Sequence, residues 1–154
     1  QRASPPASGT FILADNNLSR TRRTRDYREK CEGVAHMSGM IRLGEIAHAR
    51  SGDKGNHANV GVIAYTVSGF EHLKKVLTET RVAEYFLPLK PRAVERFELP
   101  GIFAFNFVLH DVLSGGASRS LRIDSQGKTL ALAILEMPVP APENIGEMGK
   151  NSRA

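Results

Sequence analysis

Two apolar segments flank a run of seven small or polar residues, and this pattern constrains the fold more than any other feature of the chain. Residues 41–50 alternate in a way that predicts a strand with one buried face. Residues 58–66 are more uniformly apolar, which predicts a central strand of a sheet. The polar run between them, residues 50–56, is predicted to form a loop in which Gly52 and Gly55 allow positive φ.

The polar run is chemically richer than a chain reversal requires, because an Asn-Gly or Asp-Gly turn would be enough. One hypothesis is an anion site, in which the backbone amides of the loop and the Lys54 ammonium hold a phosphate or carboxylate. The alternative is a polar connection in which Asp53 pairs with Arg50 or Lys54. The residue order does not match the Walker phosphate-binding loop, which requires Gly-Lys followed by Ser or Thr at the start of a helix.

The rest of the chain indicates a small α+β domain. Helices are predicted over residues 69–77, with Ser68 and Glu71 at capping-box spacing, and over residues 80–86. A strand is predicted over 93–99, a buried helix over 102–113, and a hairpin formed by 118–124 and 128–138. These elements predict an antiparallel or mixed sheet with helices packed on one face.

Composition excludes several classes of protein. The 154 residues suit one domain, and no apolar run is long enough for a transmembrane helix. A single cysteine, Cys31, excludes an internal disulfide and fits a reducing compartment, so we expect a cytoplasmic protein. The histidines and Cys31 lack zinc-like spacing, and His48, His57 and Asp53 follow no known ligand pattern, so no metal and no cofactor are predicted.

The net charge of +5 is unevenly distributed. Residues 1–36 carry +3, and the remaining residues carry only +2. A nearly neutral body argues against nucleic-acid binding. Residues 1–36 are Pro/Ser-rich and then Arg-rich, and we expect the native protein to begin at Met37 or Met40; the alternative is a disordered basic arm. The domain is expected to span 37–142, followed by a flexible tail over 143–154.

Four separated motifs resemble the AtuA-like C-terminal domain family, which includes free-standing small forms. They are HARSGDKGNHANVGVIA at 48–64, ELP at 98–100, NFVLH at 106–110 and GGASRSLRIDSQGK at 115–128. The resemblance implies a ferredoxin-like α+β fold and a role in acyclic terpene utilisation and acyl-CoA degradation. It also implies a larger AtuA-type polypeptide as a partner.

The candidate site residues lie on these motifs. Candidate ligand-binding residues, for a CoA ester or another carboxylate, are Arg50, Ser51, Gly52, Lys54, Gly55, Asn56, Asn59, Asn106 and Arg119. His110 and Asp53 are the candidate catalytic residues, since a histidine side chain can transfer protons in general acid-base catalysis. The alternative for His110 is a packing role at a helix end.

The leading functional hypothesis is a subunit that acts with the larger polypeptide and contributes to an anionic-ligand site. Neither a serine nor a cysteine nucleophile has a recognisable set of partners. The second hypothesis is a stand-alone hydratase or lyase that acts on a CoA-linked or carboxylate substrate. A third is a homo-oligomeric scaffold, because small sheets often hide an edge by pairing.

Overall fold

The computed structural model describes residues 39–150 and Ser152. In chain order its strands are β1 (Met40–Arg42), β2 (Ala47–Lys54), β3 (His57–Ala64), β4 (Val94–Leu99), β5 (Ala104–Leu109) and β6 (Pro138–Pro140). The α-helices are α1 (Val67–Val76), α2 (Glu79–Tyr85) and α3 (Leu130–Leu135). None of these helices is long and apolar enough to cross a bilayer.

The main sheet has four antiparallel strands in the order β2-β3-β5-β4, and β1 pairs with β6 in a separate ladder. Between β3 and β4 the chain crosses over through α1 and α2, so that β5 lies between two strands of the same direction. This is the arrangement of a ferredoxin-like α+β fold, and the predicted fold class is confirmed. Here the edge beside β3 is filled by β2, which precedes β3 in the chain.

The core lies between one face of the sheet and the helices. Alternate residues of β3 are buried, and the same holds for the aromatic positions of β5. The largest fully buried side chains are Phe105, Phe107, Leu43, Ile46, Leu73, Leu77, Leu109, Ile134 and Met137. Burying a side chain of this size stabilises the fold by about 1.5–3 kcal/mol.

Two helix starts depend on threonine. Thr66 accepts a hydrogen bond from the Gly69 amide (3.1 Å), and Thr78 accepts one from the Arg81 amide (3.2 Å). The predicted Ser68 cap is therefore wrong by two residues, because Thr66 already has extended backbone and places its hydroxyl over the first turn. The helix and strand predictions for 58–66, 80–86 and 93–99 match the observed elements to within two residues.

The predicted helix over residues 102–113 is wrong, since this segment contains β5. Phe105, Phe107 and Leu109 alternate into the core, and the residues between them face the other side of the sheet. A 3-10 turn, Pro100–Ile102, and Phe103 in the left-handed region separate β5 from β4. The apolar run appeared long enough for a helix because it includes this connection and the residues after the strand.

The predicted hairpin over residues 118–138 is also wrong, because its second half forms α3. Leu130 and Ile134 are buried at helical spacing, whereas Leu132 is exposed. Residues 118–129 contain turns and no strand. The predicted loop over residues 50–56 is shorter than expected, because β2 continues to Lys54 and only a tight turn at Gly55 and Asn56 remains.

The N-terminal strand prediction is correct only in part. Residues 41–50 divide into β1, a 3-10 turn at Leu43–Glu45, and β2. The proposed leader, residues 1–36, and the proposed start at Met37 lie outside the described residues. In the C-terminal segment, Met148 packs against the core after a 3-10 turn at Ile145–Glu147.

Candidate functional site

Helices cover one face of the main sheet, and within residues 39–150 no helix packs on the other. We call this second surface the open face. Register places Arg50, Gly61 and Asn106 side by side across β2, β3 and β5, and residues two positions away share their face. The open face comprises His48, Arg50, Gly52 and Lys54 of β2, His57, Asn59, Gly61 and Ile63 of β3, Ala104, Asn106 and Val108 of β5, and Glu95, Phe97 and Leu99 of β4.

Two glycines and two asparagines occupy the centre of the open face. Asn59 Nδ2 donates to Asn106 Oδ1 across β3 and β5 (3.2 Å). The Arg50 side chain lies across Gly61, with Cγ 3.4 Å from where a β-carbon would be. Lys128 reaches over Gly52 from the loop before α3, and its Nζ lies 3.4 Å from where a β-carbon of Gly52 would be. Two cations therefore lie over a flat, polar sheet centre.

The structure divides the predicted site residues into three groups. Arg50, Gly52, Lys54, Asn59 and Asn106 share the open face, and His110 lies at its end beside His57. Ser51 and Asp53 lie on the opposite, helix-covered side of β2, so Asp53 is separated from His110. Gly55 and Asn56 form the hairpin turn, and Arg119 is exposed on the loop after Gly116.

The Ser51 hydroxyl forms hydrogen bonds with backbone groups of the protein itself. Its Oγ donates to the carbonyl oxygens of Gly127 (2.6 Å) or Lys128 (3.0 Å) and accepts from the Ala131 amide (3.0 Å). One hydroxyl thus ties β2 to the start of α3 and satisfies an amide of its first turn. These contacts occupy the hydroxyl that was predicted to bind a ligand.

A cluster of histidines and carboxylates lies where β5 ends. His110 Nε2 contacts Glu95 Oε1 (3.1 Å), and the rings of His110 and His57 meet edge to face at 4.8 Å. His57 Nδ1 accepts from the Asp111 amide (3.0 Å) and lies 3.5 Å from Asp111 Oδ1. A neutral His57 ring therefore carries its proton on Nε2. His110 Nδ1 is buried and has no hydrogen-bond partner in the described part of the chain.

Asp111 is held in an unusual conformation by its neighbours. Its φ of +61° lies in the left-handed region, which is uncommon for a residue other than glycine. Arg92 Nε donates to Oδ2 (2.6 Å), and Asn56 Nδ2 donates to Oδ1 (2.9 Å). The hydrogen bond from Arg92 lowers the pKa of Asp111, and the bond from Asn56 and the charges of Arg92 and His57 reinforce this against a smaller effect of burial.

Asn56 joins the hairpin turn to the loop after β5. Besides its bond to Asp111, its Oδ1 accepts from the Gly115 amide (2.6 Å), and its carbonyl oxygen accepts from the Leu113 amide (3.1 Å). Gly116 packs directly on the turn, since a β-carbon there would collide with the carbonyl oxygen of Gly55. The predicted Asn56 and Gly55 therefore organise the backbone at the edge of the site.

Sequence reasoning missed His57, Asp111, Glu95 and Lys128 as members of this surface. His57 lies within the first motif, and Asp111 directly follows the predicted His110, so position in the chain was a signal for both. Glu95 and Lys128 could be found only from strand register and loop position. No group of three or more His, Cys, Asp or Glu side chains within residues 39–150 has the geometry to hold a metal ion.

Comparison with known proteins gives one family. No curated protein and no solved structure matches the chain. The family model of the AtuA ferredoxin-like domain matches residues 41–140 of the 154-residue chain, which includes β2 to β5, the three α-helices and the open face. The chain therefore belongs to the AtuA ferredoxin-like domain family.

Proposed function

We propose that this protein is an accessory subunit or module in the breakdown of acyl-CoA derivatives of acyclic terpenes. It would act with a larger AtuA-type polypeptide and offer its open face to an anionic ligand. The observation that carries the proposal is the convergence of Arg50, Lys54 and Lys128 on the open face around the Asn59–Asn106 pair.

The chemistry of the open face suits an anion. Arg50 and Lys128 supply charge-assisted donors for phosphate or carboxylate oxygens, and the asparagine amides supply neutral donors and acceptors. Gly52 and Gly61 have no side chains, so the Lys128 and Arg50 side chains can lie close over the sheet and present their charges above its centre. These properties favour a ligand that lies across the sheet.

An apolar strip adjoins the basic half of the same face. Phe97 and Leu99 of β4 are 49% and 43% exposed, although they are large and apolar. Ile102, which is 61% exposed, follows at the turn into β5. A ligand with an anionic head and an apolar chain would therefore find both kinds of contact on one face.

A thermal-shift titration of the full chain tests the ligand role. CoA, acyl-CoAs of increasing chain length and small carboxylates are compared for the wild type, Arg50→Ala, Lys54→Ala and Lys128→Ala. Ligand at one hundred times Kd stabilises the native state by about 2.7 kcal/mol, which is a shift of several degrees. Lys75→Ala, a change at an exposed helix lysine, is the control and should retain the shift. Absence of any shift in the wild type would contradict the ligand role.

Co-expression with an AtuA-type polypeptide from the same cell tests the partner role. The expected result is a stable complex with fixed stoichiometry in size-exclusion chromatography with light scattering. If both chains fold and elute separately at micromolar concentration, the accessory role is wrong.

The histidine cluster favours a second candidate, a stand-alone hydratase or lyase. His110 and His57 lie in contact, and each has a carboxylate neighbour, Glu95 and Asp111 respectively. Such a pair can take a proton from one atom of a substrate and return one elsewhere. Incubation of the protein with an enoyl-CoA should give hydration that His110→Gln abolishes. No product from the wild type would leave only the accessory role.

A further inference from the structure

Two aliphatic side chains on the loop between Gly116 and α3 are completely exposed. Leu121 and Ile123 show 104% and 108% of their reference exposure, more than any other large apolar residue in the described part of the chain. Single exposed aliphatic residues are common, but neighbouring side chains without any packing indicate an interaction surface.

The backbone of the same segment is only partly paired. Arg119 and Ser120 donate their amides to the carbonyl oxygen of Gly116, and the Arg122 amide donates to Ser120 Oγ (3.2 Å). Within residues 39–150, the amides of Leu121 and Ile123 make no hydrogen bond, and no amide donates to the carbonyl oxygens of residues 119–123. These free groups are what an added β-strand requires.

The sequence of residues 119–123, Arg-Ser-Leu-Arg-Ile, alternates as a strand does, yet it forms no strand. Arg122 is exposed, and one nitrogen of its guanidinium group, Nη1, donates to the carbonyl oxygen of Val112 (2.7 Å), which anchors the segment to the domain. Leu121 and Ile123 remain outside. A local strand preference that the domain itself does not satisfy points to a partner that does.

An apolar groove adjoins the segment. Its volume is about 420 Å³, and Ile123 lines it together with four less exposed aliphatic residues and with the polar residues Arg122, Asp124 and Thr129. It can receive apolar side chains that project from a strand placed beside residues 119–123.

We infer that residues 119–123, here called the docking segment, pair with an extended segment of the larger polypeptide in which acidic and apolar side chains alternate. The inference rests on the proposed function. Arg119 and Arg122 give the docking segment its charge, and the nearby Asp124 carboxylate is occupied by Lys128 and Thr129. Acidic side chains of the partner would balance these guanidinium groups.

A second copy of the chain is a poorer occupant. Antiparallel pairing of two docking segments would bring Arg119 and Arg122 of both copies into one ladder that contains no free carboxylate. Like charges in neighbouring strands are destabilising. Charge complementarity therefore selects an acidic partner segment over self-pairing.

NMR of the full chain with two short blocked peptides tests the inference. One peptide alternates glutamate and valine, and the other has lysine in place of each glutamate. At ten times Kd, the glutamate peptide should slow amide exchange of Leu121 and Ile123 about tenfold, by mass action on the open state. No protection, or equal protection by the lysine peptide, would overturn the inference. Protection without peptide that rises with protein concentration would assign the segment to a second copy instead.

Leu121→Pro removes one amide and one exposed side chain, neither of which contacts the domain. It should abolish the peptide effect and leave thermal stability unchanged, whereas Leu132→Ala, at an exposed leucine of α3, should preserve the effect. The CoA titration separates the two proposals. If the wild type shows a CoA shift but no peptide binding, only the docking segment is overturned. If it binds the peptide but shows no CoA shift, only the ligand role is overturned.

Discussion

Gly116 has no room for a side chain and adopts a φ of +74°. In Gly116→Ala the β-carbon would collide with the carbonyl oxygen of Gly55, so the hairpin turn or the loop after β5 must move. We expect a loss of about 2–4 kcal/mol in the free energy of unfolding, measured by urea denaturation. Gly101→Ala is the matched control, because a β-carbon there meets nothing within 4 Å and its φ is not positive. Equal stability of the two variants would contradict this account.

Ser51 was predicted to bind a ligand, but its contacts assign it to the α3 start. Ser51→Ala removes a hydroxyl that bonds to Gly127 or Lys128 and to Ala131, and we expect it to cost about 1–2 kcal/mol of stability. Ser118→Ala, at an exposed serine without a hydrogen bond in the described residues, should cost nothing measurable. The shift of the melting temperature by CoA should be the same in Ser51→Ala as in the wild type. A smaller CoA shift would return Ser51 to the ligand site.

At the scale of elements, period-two alternation was sufficient for β4, where half-buried and exposed residues alternate, and a uniformly apolar run was sufficient for β3. It was insufficient for β5, because Val108 is apolar on the open face and the run continues through Val112 and Leu113. α3 was missed for a different reason. Its first turn is fixed by Asp124, which accepts from the amides of Lys128 and Thr129, and by Ser51 from a distant strand.

The link between the β2–β3 hairpin and the loop after β5 depends on the Asn56 amide. Asn56→Ala leaves the Gly115 amide and one Asp111 oxygen without their partner, and we expect a loss of about 1–3 kcal/mol. Asn56→Asp restores the acceptor for Gly115 but places a second carboxylate beside Asp111. It should therefore be the less stable variant at pH 7 and approach Asn56→Ala near pH 4. Chemical denaturation at the two pH values measures this order, and a reversed order at pH 7 would exclude the proposed contact.

At the scale of the molecule, five of the predicted site residues share the open face, and three of these lie there because β2 is longer than expected. A strand that reaches Lys54 carries Arg50, Gly52 and Lys54 onto one face and places Ser51 and Asp53 on the other. In a flexible loop, the side chains of residues 50–56 would not be divided between two faces. The sequence, which predicted such a loop, therefore assigned all seven residues to one site. Lys128 and Glu95 join the surface through tertiary placement, for which no local pattern exists.

Acid should destabilise the folded molecule through Asp111. The Arg92 hydrogen bond holds the pKa of this carboxylate below its usual 3.8, so the folded state favours the ionised form. This stabilisation is complete above about pH 4 and disappears as the pH falls through the lower folded value. Asp124 acts in the same direction. Burial raises its pKa, but hydrogen bonds from Thr129 and Lys128 outweigh this effect, so that the pKa is lowered overall.

The measurement is the urea midpoint from pH 7 to pH 2 for the wild type, Asp111→Asn and Glu71→Gln. Glu71→Gln is the control, because Glu71 is an exposed carboxylate without a partner in the described residues. Asp111→Asn should have the lower midpoint at pH 7 and a shallower decline in acid, so that its curve meets that of the wild type at low pH. Glu71→Gln should follow the wild type throughout. Parallel curves for the wild type and Asp111→Asn would mean that the ionised carboxylate contributes nothing to the junction of β5, Arg92 and the hairpin. The two histidines beside it would then be held by packing alone, and the case for their use in proton transfer would be correspondingly weaker.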